Sequence, residues 1–464
     1  MSISVDLLQV LKAKLSETSN TTSKWSLYSL SVKLSDLDSD HPFHPCIVSI
    51  GIAHYGNPRV IHMQPQKWVY MNSLLSRTHL SSSTNVVSAA IDETKNALLE
   101  SCVDAISDLE DEARRYFGGA AEGLDSPSLL EVLILDGCFI LELLIRYFSL
   151  FESNITQENG LFKPVEDLDL NEDPILMFSW IRAAVRRDLV LLENQIPYMV
   201  LQKLFEMVTG RDTSLPHDFL VPMVIEFFHS SYLDKPPVPV IERGLHRSHL
   251  LNLLLNLYRP TAEREMLDPP RRPTSARRTF LLNATSLAQV GVKFKNQTHA
   301  SSLLDIRFSM GVFEIPTLHI SKWSDSYFRN FIAFERCCPD RKPYMASYLE
   351  LMSRLITGPE DVQLLERRGI LINDLGSDEE IIVMFNRIGR QFDQPDYFYY
   401  QELYDLVDSS YNTMWNLYKS QLQYQYFRSP WAVISMLTAM LLVFCTLIQT
   451  VYTTLYYYQG IPRR

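Results

Sequence analysis

Residues 431–452 read WAVISMLTAMLLVFCTLIQTVY, and this stretch near the C-terminus decides the architecture of the chain. It holds no charged residue and no proline, and Gln449 is its only strongly polar side chain. At about 1.5 Å per residue, a helix of this length spans roughly 30 Å, the hydrocarbon thickness of a bilayer. Tyrosine and tryptophan flank both ends, as interfacial aromatic belts do. The stretch predicts one transmembrane helix; the alternative is a buried core helix, although core helices of this length usually carry charges.

A second apolar run, at residues 129–148, reads LLEVLILDGCFILELLIRYF and differs from the first in its charges. It contains Glu131, Asp136, Glu142 and Arg146. An ionised group at mid-bilayer costs about 2.5–3.5 kcal/mol on insertion scales, so these residues argue against a second span. Glu142 and Arg146 stand one helical turn apart and can pair on one face. The run therefore predicts a buried helix of the folded part of the chain.

The composition is that of a folded globular protein. Of the 464 residues, 46% are hydrophobic and 21% are charged, so the region ahead of the membrane run should form one large helical domain or two packed subdomains. The net charge of −11 argues against a nucleic-acid partner. The six cysteines are scattered without a C-x-x-C pair, which favours neither a disulfide framework nor a zinc site.

The two ends of the chain predict its organisation. Residues 1–24 are interrupted by polar side chains, do not resemble a secretory signal, and are interpreted as a tail able to form a short amphipathic helix. Residues 25–428 form the main domain, and residues 429–464 form the membrane anchor and a short tail. Insertion after translation would leave the main domain in the cytosol. Arginines flank both sides of the span, so the positive-inside rule leaves the topology open.

Helical periodicity dominates the main domain, and one segment departs from it. Residues 303–320 alternate apolar and polar side chains around Met310 and Gly311, which predicts a β-hairpin. Residues 188–205 continue a helical pattern with a kink at Pro197. Residues 259–278 are rich in proline and arginine and are interpreted as a flexible surface loop. These patterns predict a mainly α fold, a large helical domain with a small antiparallel β insert, plus one C-terminal transmembrane helix.

No catalytic sequence motif stands out. The sequence contains no G-x-S-x-G, H-E-x-x-H, P-loop or G-x-G-x-x-G motif. His246 and His249 lack a third ligand, so we interpret them as surface residues rather than a metal site. The adjacent Cys337 and Cys338 favour a buried structural pair over a reactive thiol. No catalytic, cofactor-binding or metal-binding residue is therefore assigned.

Three polar residues within apolar sequence, Asp188, Glu193 and Asn194, have two interpretations. One is a carboxylate site of an enzyme. The other is that these side chains hydrogen-bond backbone groups at a helix junction near Pro197, because buried polar groups must be satisfied.

Several segments resemble a plant family, the domain-of-unknown-function-247 proteins (DUF247). The strongest match is DLVLLENQIPYMVLQKLF at 188–205, and the resemblance covers roughly residue 25 to the C-terminus. Further matches are GCFILELLIR at 137–146, ATSLAQVGVKFK at 284–295, SLLDIRFSMGVFEIP at 302–316 and FRNFIAFERC at 328–337. The chain departs from the family at 51–56, where it reads GIAHYG in place of a Gly-Pro-Tyr-His-His-Gly-like run.

The resemblance implies a plant membrane protein with one C-terminal span and no established enzymatic activity. Some grass members look like pollen-side determinants of self-incompatibility that act with small secreted partners. Our first hypothesis is a non-enzymatic, membrane-anchored recognition or signalling protein, single-pass in the plasma membrane. Its expected partners are the lipid bilayer and a protein or small secreted peptide, with no cofactor and no nucleic acid. The alternative is a membrane-tethered enzyme with a carboxylate site near Glu193.

Overall fold

The computed structural model describes residues 2–19, 42–77, 88–151, 173–209, 220–229, 248–261, 283–298, 300–338, 341–391, 397–411 and 430–459. Within these residues the chain is mainly helical, with two small sheets and an exposed C-terminal helix. One apolar core runs through the helices ahead of that last helix and through both sheets. The predicted mainly α fold is confirmed.

The N-terminal half is organised around one long buried helix. The helices described there are α1 (Ser2–Ser19), α2 (Gln64–Ser76), α3 (Ser88–Ser107), α4 (Glu110–Phe117), α5 (Ser126–Phe151), α6 (Pro174–Met177), α7 (Ser179–Asp188), α8 (Tyr198–Thr209) and α9 (Leu220–His229). Helix α5 is the centre, because α1, α2, α3, α8 and α9 all pack against it and its residues 132–148 are all buried. The charges of α5 are paired, Glu131 with Lys14, Asp136 with Lys67 and Glu142 with Arg146. The predicted buried helix is confirmed.

The C-terminal half contains shorter helices and the strands. In chain order its elements are α10 (Leu250–Leu257), α11 (Ala284–Gln289), β1 (Lys293–Asn296), β2 (Arg307–Ser309), β3 (Val312–Ile315), β4 (Leu318–Ile320), α12 (Ser324–Cys337), α13 (Tyr344–Leu355), α14 (Pro359–Arg367), β5 (Leu371–Asn373), α15 (Asp378–Gln391), α16 (401–411) and α17 (Pro430–Gln459). Helix α13 packs between α12 and α15, and α14 covers α15 and α11.

The β insert is more complex than the predicted antiparallel one. Strands β2 and β3 form the predicted hairpin around Met310 and Gly311, with Phe308 opposite Phe313. However, β1 pairs with β3 in parallel. Strand β4, which follows the hairpin, pairs in parallel with β5. The prediction of a wholly antiparallel insert was therefore wrong. Alternation along one strand tells which side chains face the core, but not which distant strand pairs with it or in which direction.

Residues 188–205 do not form one kinked helix. Helix α7 ends at Asp188, residues 189–197 form turns, and α8 begins at Tyr198. The prediction failed because side chains replace the helical hydrogen bonds here. The side-chain amide nitrogen of Gln195 donates to the backbone carbonyls of Leu189 and Leu191, so those carbonyls are satisfied without a helix.

The two ends of the main domain fall partly outside the described residues. The predicted boundaries at 24–25 and 428–429 lie outside them, as does the predicted loop 259–278 beyond residue 261. The N-terminal tail does hold a helix, α1, whose Leu7, Leu11 and Leu15 are buried one turn apart against α2, α3 and α5. This amphipathic helix is therefore part of the core.

Helix α17 is long and apolar enough to cross a membrane. It has 30 residues, and its stretch Leu437–Leu455 has a mean hydropathy of 1.6 with none of it buried against the rest of the chain. The helix begins at Pro430 and continues beyond the predicted end at Tyr452. It is a candidate membrane span by length and composition.

Candidate functional site

The first part of the strongest family-like segment, 188–205, builds a polar junction in the core of the N-terminal half. We use the term polar junction for the extended segment 46–51 and the side chains of Asp136, Asp188, Asn194 and Gln195 that hold it. The Asp188 carboxylate accepts the backbone N–H groups of Cys46, Ile47 and Val48 at 3.0, 2.6 and 2.9 Å. The carboxylate is fully buried, and Arg187 balances its charge at 2.9 Å. One side chain thus satisfies three consecutive amides of a segment that lies outside the strands of both sheets.

Asn194 holds the next part of the same segment. Its side-chain oxygen accepts the Ile50 amide at 2.6 Å, and its nitrogen donates to the carbonyls of Val48 at 3.0 Å and Asp188 at 2.9 Å. Both hydrogens of the amide and its oxygen are therefore used, and the side chain is fully buried. Asp188 and Asn194 satisfy backbone groups, as the second interpretation of these residues predicted.

Asp136 of α5 binds the last residue of segment 46–51, Gly51. Its carboxylate accepts the Gly51 amide at 2.8 Å and pairs with Lys67 of α2 at 2.5 Å, and the Lys67 ammonium also donates to the Ser49 carbonyl. Burial raises the pKa of Asp136, and Lys67 and the Gly51 amide counteract that rise. The sequence pattern did not point to Lys67, whose side chain is 1% exposed.

A second buried network ties α2, α5 and α6 together. The Glu142 carboxylate accepts from Arg77 at 2.6 Å, Arg146 at 2.7 Å and Ser73 at 2.8 Å. Arg146 also reaches Asp173, which accepts the Tyr70 hydroxyl at 2.7 Å. The predicted pairing of Glu142 with Arg146 is confirmed. Both networks have their carboxylate oxygens filled by donors, so their chemistry is to fix backbone and helices in place.

Glu193 lies outside the polar junction. It is exposed on the turn, whereas its neighbours Asp188 and Asn194 are buried. The expectation that Glu193 satisfies buried backbone was therefore wrong, because the turn directs position 193 outward while positions 191 and 194 point inward. Leu192 on the same turn is only half-buried.

His54 lies near Glu193 and beside a second histidine, His44. The rings of His44 and His54 lie edge to face with centroids 5.8 Å apart. His54 is 8% exposed, its Nε2 has no hydrogen-bond partner in the described part of the chain, and burial lowers its pKa while Glu193 opposes that shift. Phe43 and Tyr55 are exposed nearby along the chain. Among the described residues no group of three or more His, Cys, Asp or Glu side chains is placed to hold a metal ion.

Two further predictions about single residues are corrected. His249 is buried rather than on the surface: it caps the N-terminus of α10, where its Nδ1 accepts the Asn252 amide at 3.1 Å, and His246 lies outside the described residues. Burial and the nearby Arg341 lower the pKa of His249 to about 3. Cys337 is exposed and Cys338 half-buried, so they do not form a buried pair. Residues 336 and 337 at the end of α12 face solvent, whereas Phe334 and Glu335 face the core.

An apolar pocket opens beside strand β4 and helix α12 of the C-terminal half. It holds about 510 Å³ including its open mouth, and Phe228, Leu254, Leu318, Tyr327 and Phe331 are among its lining residues. We assign no ligand to it.

Glu335 of α12 is a buried carboxyl group with an unusual acidity. It accepts the backbone amides of Met345 at 2.8 Å and Ala346 at 3.0 Å, in the first turn of α13. Burial raises its pKa to about 7, against the opposing influence of these amides and of Arg341. The carboxyl group therefore changes its charge near neutral pH while it caps a neighbouring helix.

This acidity predicts a pH-dependent stability. The carboxyl holds its proton up to pH of about 7 in the folded protein but only to about 4.5 when unfolded, so its stabilising contribution is complete below pH 4.5 and is lost as the pH rises to 7. We expect Glu335→Gln to remove a decline of about 3 kcal/mol across this window. Urea unfolding of the full chain at pH 5 and pH 8 measures it. Glu360→Gln, at an exposed position, is the control; equal slopes in both variants would contradict the assignment.

Comparison with known proteins places most of the chain in one family. Residues 27–445 match DUF247, described as a plant protein of unknown function. A UPF0481 protein of Arabidopsis thaliana is 26% identical over 441 residues, which covers 89% of this chain and 83% of the relative. A second UPF0481 protein of Arabidopsis thaliana is 24% identical over 179 residues, covering 38% of this chain and 34% of that relative. No solved structure matches the chain. The match to DUF247 spans the polar junction, both sheets and the first half of α17, and the chain therefore belongs to the DUF247 family of plant proteins.

Proposed function

We propose that this protein is a membrane-anchored, non-enzymatic recognition or signalling protein, held by α17 as a single pass in the plasma membrane. The observation that carries the proposal is the helix itself. It has 30 residues without a charge, and its described side chains are all exposed. Apolar surface costs about 25 cal/mol per Å² in water, whereas a helix in hydrocarbon satisfies its own backbone and buries that surface.

The non-enzymatic part of the proposal rests on how the buried carboxylates are used. Asp136, Asp188 and Glu142 are each filled by backbone amides or cations. The alternative function is a membrane-tethered enzyme with a carboxylate site near Glu193. Its support is the proximity of Glu193 to His54, since Glu193 opposes the lowering of the His54 pKa by burial. Glu193 is exposed to water on its turn, whereas a general base acts best in a site that holds its substrate and excludes water.

The finer proposal is a pollen-side self-incompatibility determinant that recognises a small secreted partner. The support is the position of the segment that departs from the family pattern. Within residues 51–56, Ala53, Tyr55 and Gly56 are exposed, so the variation falls on a surface turn and leaves the buried Gly51 in place. Sequences of several alleles of the locus test this. Recognition predicts that variation concentrates on exposed positions such as Ala53 and Tyr55 and on the predicted loop 259–278, most of which lies outside the described residues, and an enzyme predicts one invariant pocket.

Removing the anchor should release the protein. A chain that ends at residue 428 is expected to move almost completely from the membrane pellet to the supernatant after carbonate extraction, whereas the full chain stays in the pellet. Leu441→Arg with Phe444→Arg in the full chain should have a similar effect, since each charge costs about 2.5–3.5 kcal/mol at the middle of a span.

Leu441→Ile is the matched control and should remain in the pellet. If the truncated chain stays in the pellet after carbonate extraction, the single-span anchor is wrong. Protease protection on sealed vesicles then determines the topology, because a protected main domain lies inside the vesicle and a digested one outside.

A further inference from the structure

The hairpin of β2 and β3 turns through two residues whose backbone is left-handed. Met310 has a φ of +50° and Gly311 a φ of +74°, and within the described part of the chain Met310 is the one residue other than glycine with a positive φ. Hairpin turns with positive φ at both central residues favour Asn-Gly or Asp-Gly, because most other side chains are strained in this conformation. The methionine therefore strains the turn that it forms.

The side chain of Met310 is also completely exposed. Its exposed fraction of 102% is the largest of any large hydrophobic residue that the structure describes. An asparagine here would relieve the backbone and place a polar group in water, so neither the turn nor the solvent accounts for a methionine. A residue that breaks a local rule without a contact inside the fold is typical of a site that meets a partner.

Cations lie on both sides of this tip. Lys293 and Lys295 of β1 and Arg307 of β2 are exposed, and the strand register places them on one face of the sheet with Glu314 of β3. Lys295 pairs with Glu314 at 3.3 Å. Lys293 and Arg307 form no ion pair with any residue that the structure describes.

The opposite face of the same sheet is apolar and packed. Phe294, Phe308 and Phe313 lie there with ring centroids 5.6 and 5.7 Å apart along the row. The hairpin is thus held from behind by its aromatic face, and its charged face and tip point to solvent.

We propose that the hairpin tip, defined as Met310 with the cations Lys293 and Arg307, docks on a membrane surface that carries acidic lipid headgroups. The proposal rests on the proposed function, because the anchor α17 would keep the main domain beside lipid. The flexible methionine side chain enters the boundary between headgroups and acyl chains, and the two cations are attracted to the headgroups.

Two observations favour lipid over a protein partner for this tip. A membrane accepts a single projecting apolar side chain without a matching pocket, whereas a protein partner has to supply one. The net charge of −11 disfavours a general attraction to an acidic surface, so such a contact has to be made by a local group of unpaired cations, as this hairpin provides.

A dye beside the tip tests the docking. Ser309 is exposed next to Met310, so Ser309→Cys carries the environment-sensitive dye nitrobenzoxadiazole in a full chain with Cys337→Ser, which removes an exposed thiol. The chain is reconstituted in vesicles of phosphatidylcholine, alone or mixed equally with phosphatidylserine. We expect a blue shift of the dye and its quenching by nitroxide-labelled lipid in the mixed vesicles only. The same chain without Ser309→Cys gives the background, and dye on Val383→Cys, at an exposed position of α15, should not respond.

The role of the cations is tested with the same dye. Lys293→Gln with Arg307→Gln should lower the docking constant about 30-fold, which corresponds to about 1 kcal/mol for each cation. The matched control is Arg115→Gln with Arg387→Gln, which removes the same charge from exposed positions of α4 and α15 and should leave docking unchanged.

The role of the methionine is tested by Met310→Asn. The change should weaken docking about tenfold, because the apolar side chain no longer enters the membrane. It should not lower the midpoint of urea unfolding, since asparagine tolerates the left-handed backbone. A lowered midpoint would show that the methionine serves the fold and would contradict the proposal.

Three other outcomes would overturn the docking. Anchored protein whose dye responds equally in both kinds of vesicle would point to an acidic protein as the partner of this face. Equal responses at positions 309 and 383, or equal effects of the two pairs of charge substitutions, would indicate adsorption that does not depend on the tip. A chain that fails to anchor appears in the supernatant after carbonate extraction, and its dye still reports docking on added vesicles, so the two proposals fail separately.

Discussion

Asp188→Asn should lower the free energy of unfolding by about 3–5 kcal/mol. The carboxylate accepts the amides of Cys46, Ile47 and Val48 and balances Arg187, all within the buried core. An asparagine keeps one oxygen but turns an NH₂ group toward backbone donors, which leaves at least one amide unpaired at about 1–3 kcal/mol. It also removes the carboxylate that pairs with Arg187, and removing one partner of a buried ion pair typically costs about 3–5 kcal/mol. Urea unfolding of the detergent-solubilised full chain, followed by tryptophan fluorescence, measures the loss.

Glu193→Gln is the matched control, five residues away on the same turn. Since Glu193 is exposed, the change should alter the free energy of unfolding by less than about 0.5 kcal/mol. A normally stable Glu193→Gln protein that has lost its cellular function would instead support the alternative, an enzyme with a carboxylate site at this position. A stable Asp188→Asn protein would mean that the segment 46–51 is not held by the polar junction.

Gly51→Ala should cost about 3 kcal/mol or more. Gly51 has a φ of +71°, and a Cβ added there would lie 2.3 Å from the backbone oxygen of Gln195. That oxygen has little freedom to move, because the Gln195 side chain is bonded to the carbonyls of Leu189 and Leu191 and to the Leu251 amide. The substitution therefore combines backbone strain of about 1–2 kcal/mol with a steric clash between two parts of the main chain.

Gly56→Ala distinguishes the cost of backbone strain from the cost of the steric clash. Gly56 has nearly the same backbone conformation, a φ of +73°, but an added Cβ would meet nothing within 4 Å. It should cost only the strain, about 1 kcal/mol. Thermal unfolding of both variants under one condition gives the comparison. Equal losses at the two positions would show that the close approach of Gly51 to Gln195 does not exist.

Much of the helical architecture follows from local pattern in the sequence. The charges in residues 129–148 distinguished the buried helix α5 from a membrane span, and each of them has a partner in the fold. The hairpin at Met310 and Gly311 was equally predictable, because alternation and turn residues are local signals. The uncharged run predicted the apolar C-terminal helix α17.

The polar junction could be predicted from the sequence only in part, because the residues that bond to each other in it are distant along the chain. Asp188 and Asn194 were recognised as residues that hydrogen-bond backbone, but the segment 46–51 that they hold carries no local pattern. The bond from Ile50 to Asn194 joins residues 144 apart. The break between α7 and α8 was missed for the same reason, since helical periodicity continues through 188–205 while side chains take over the backbone bonds. The parallel pairing of β1 with β3 is another distant contact without a periodic signal.

The way in which segment 46–51 is held has a consequence for how the protein is synthesised. Its amides bond to Asp136, Asp188 and Asn194, which lie 85, 142 and 144 residues further along from Gly51, Cys46 and Ile50. The segment therefore leaves the ribosome long before its acceptors have been translated, and it cannot take its native place until residue 194 has emerged. At about 5–20 residues per second, this is a delay on the order of 10 seconds. Throughout that interval the N-terminal half is an incomplete nascent chain with apolar surface open to chaperones.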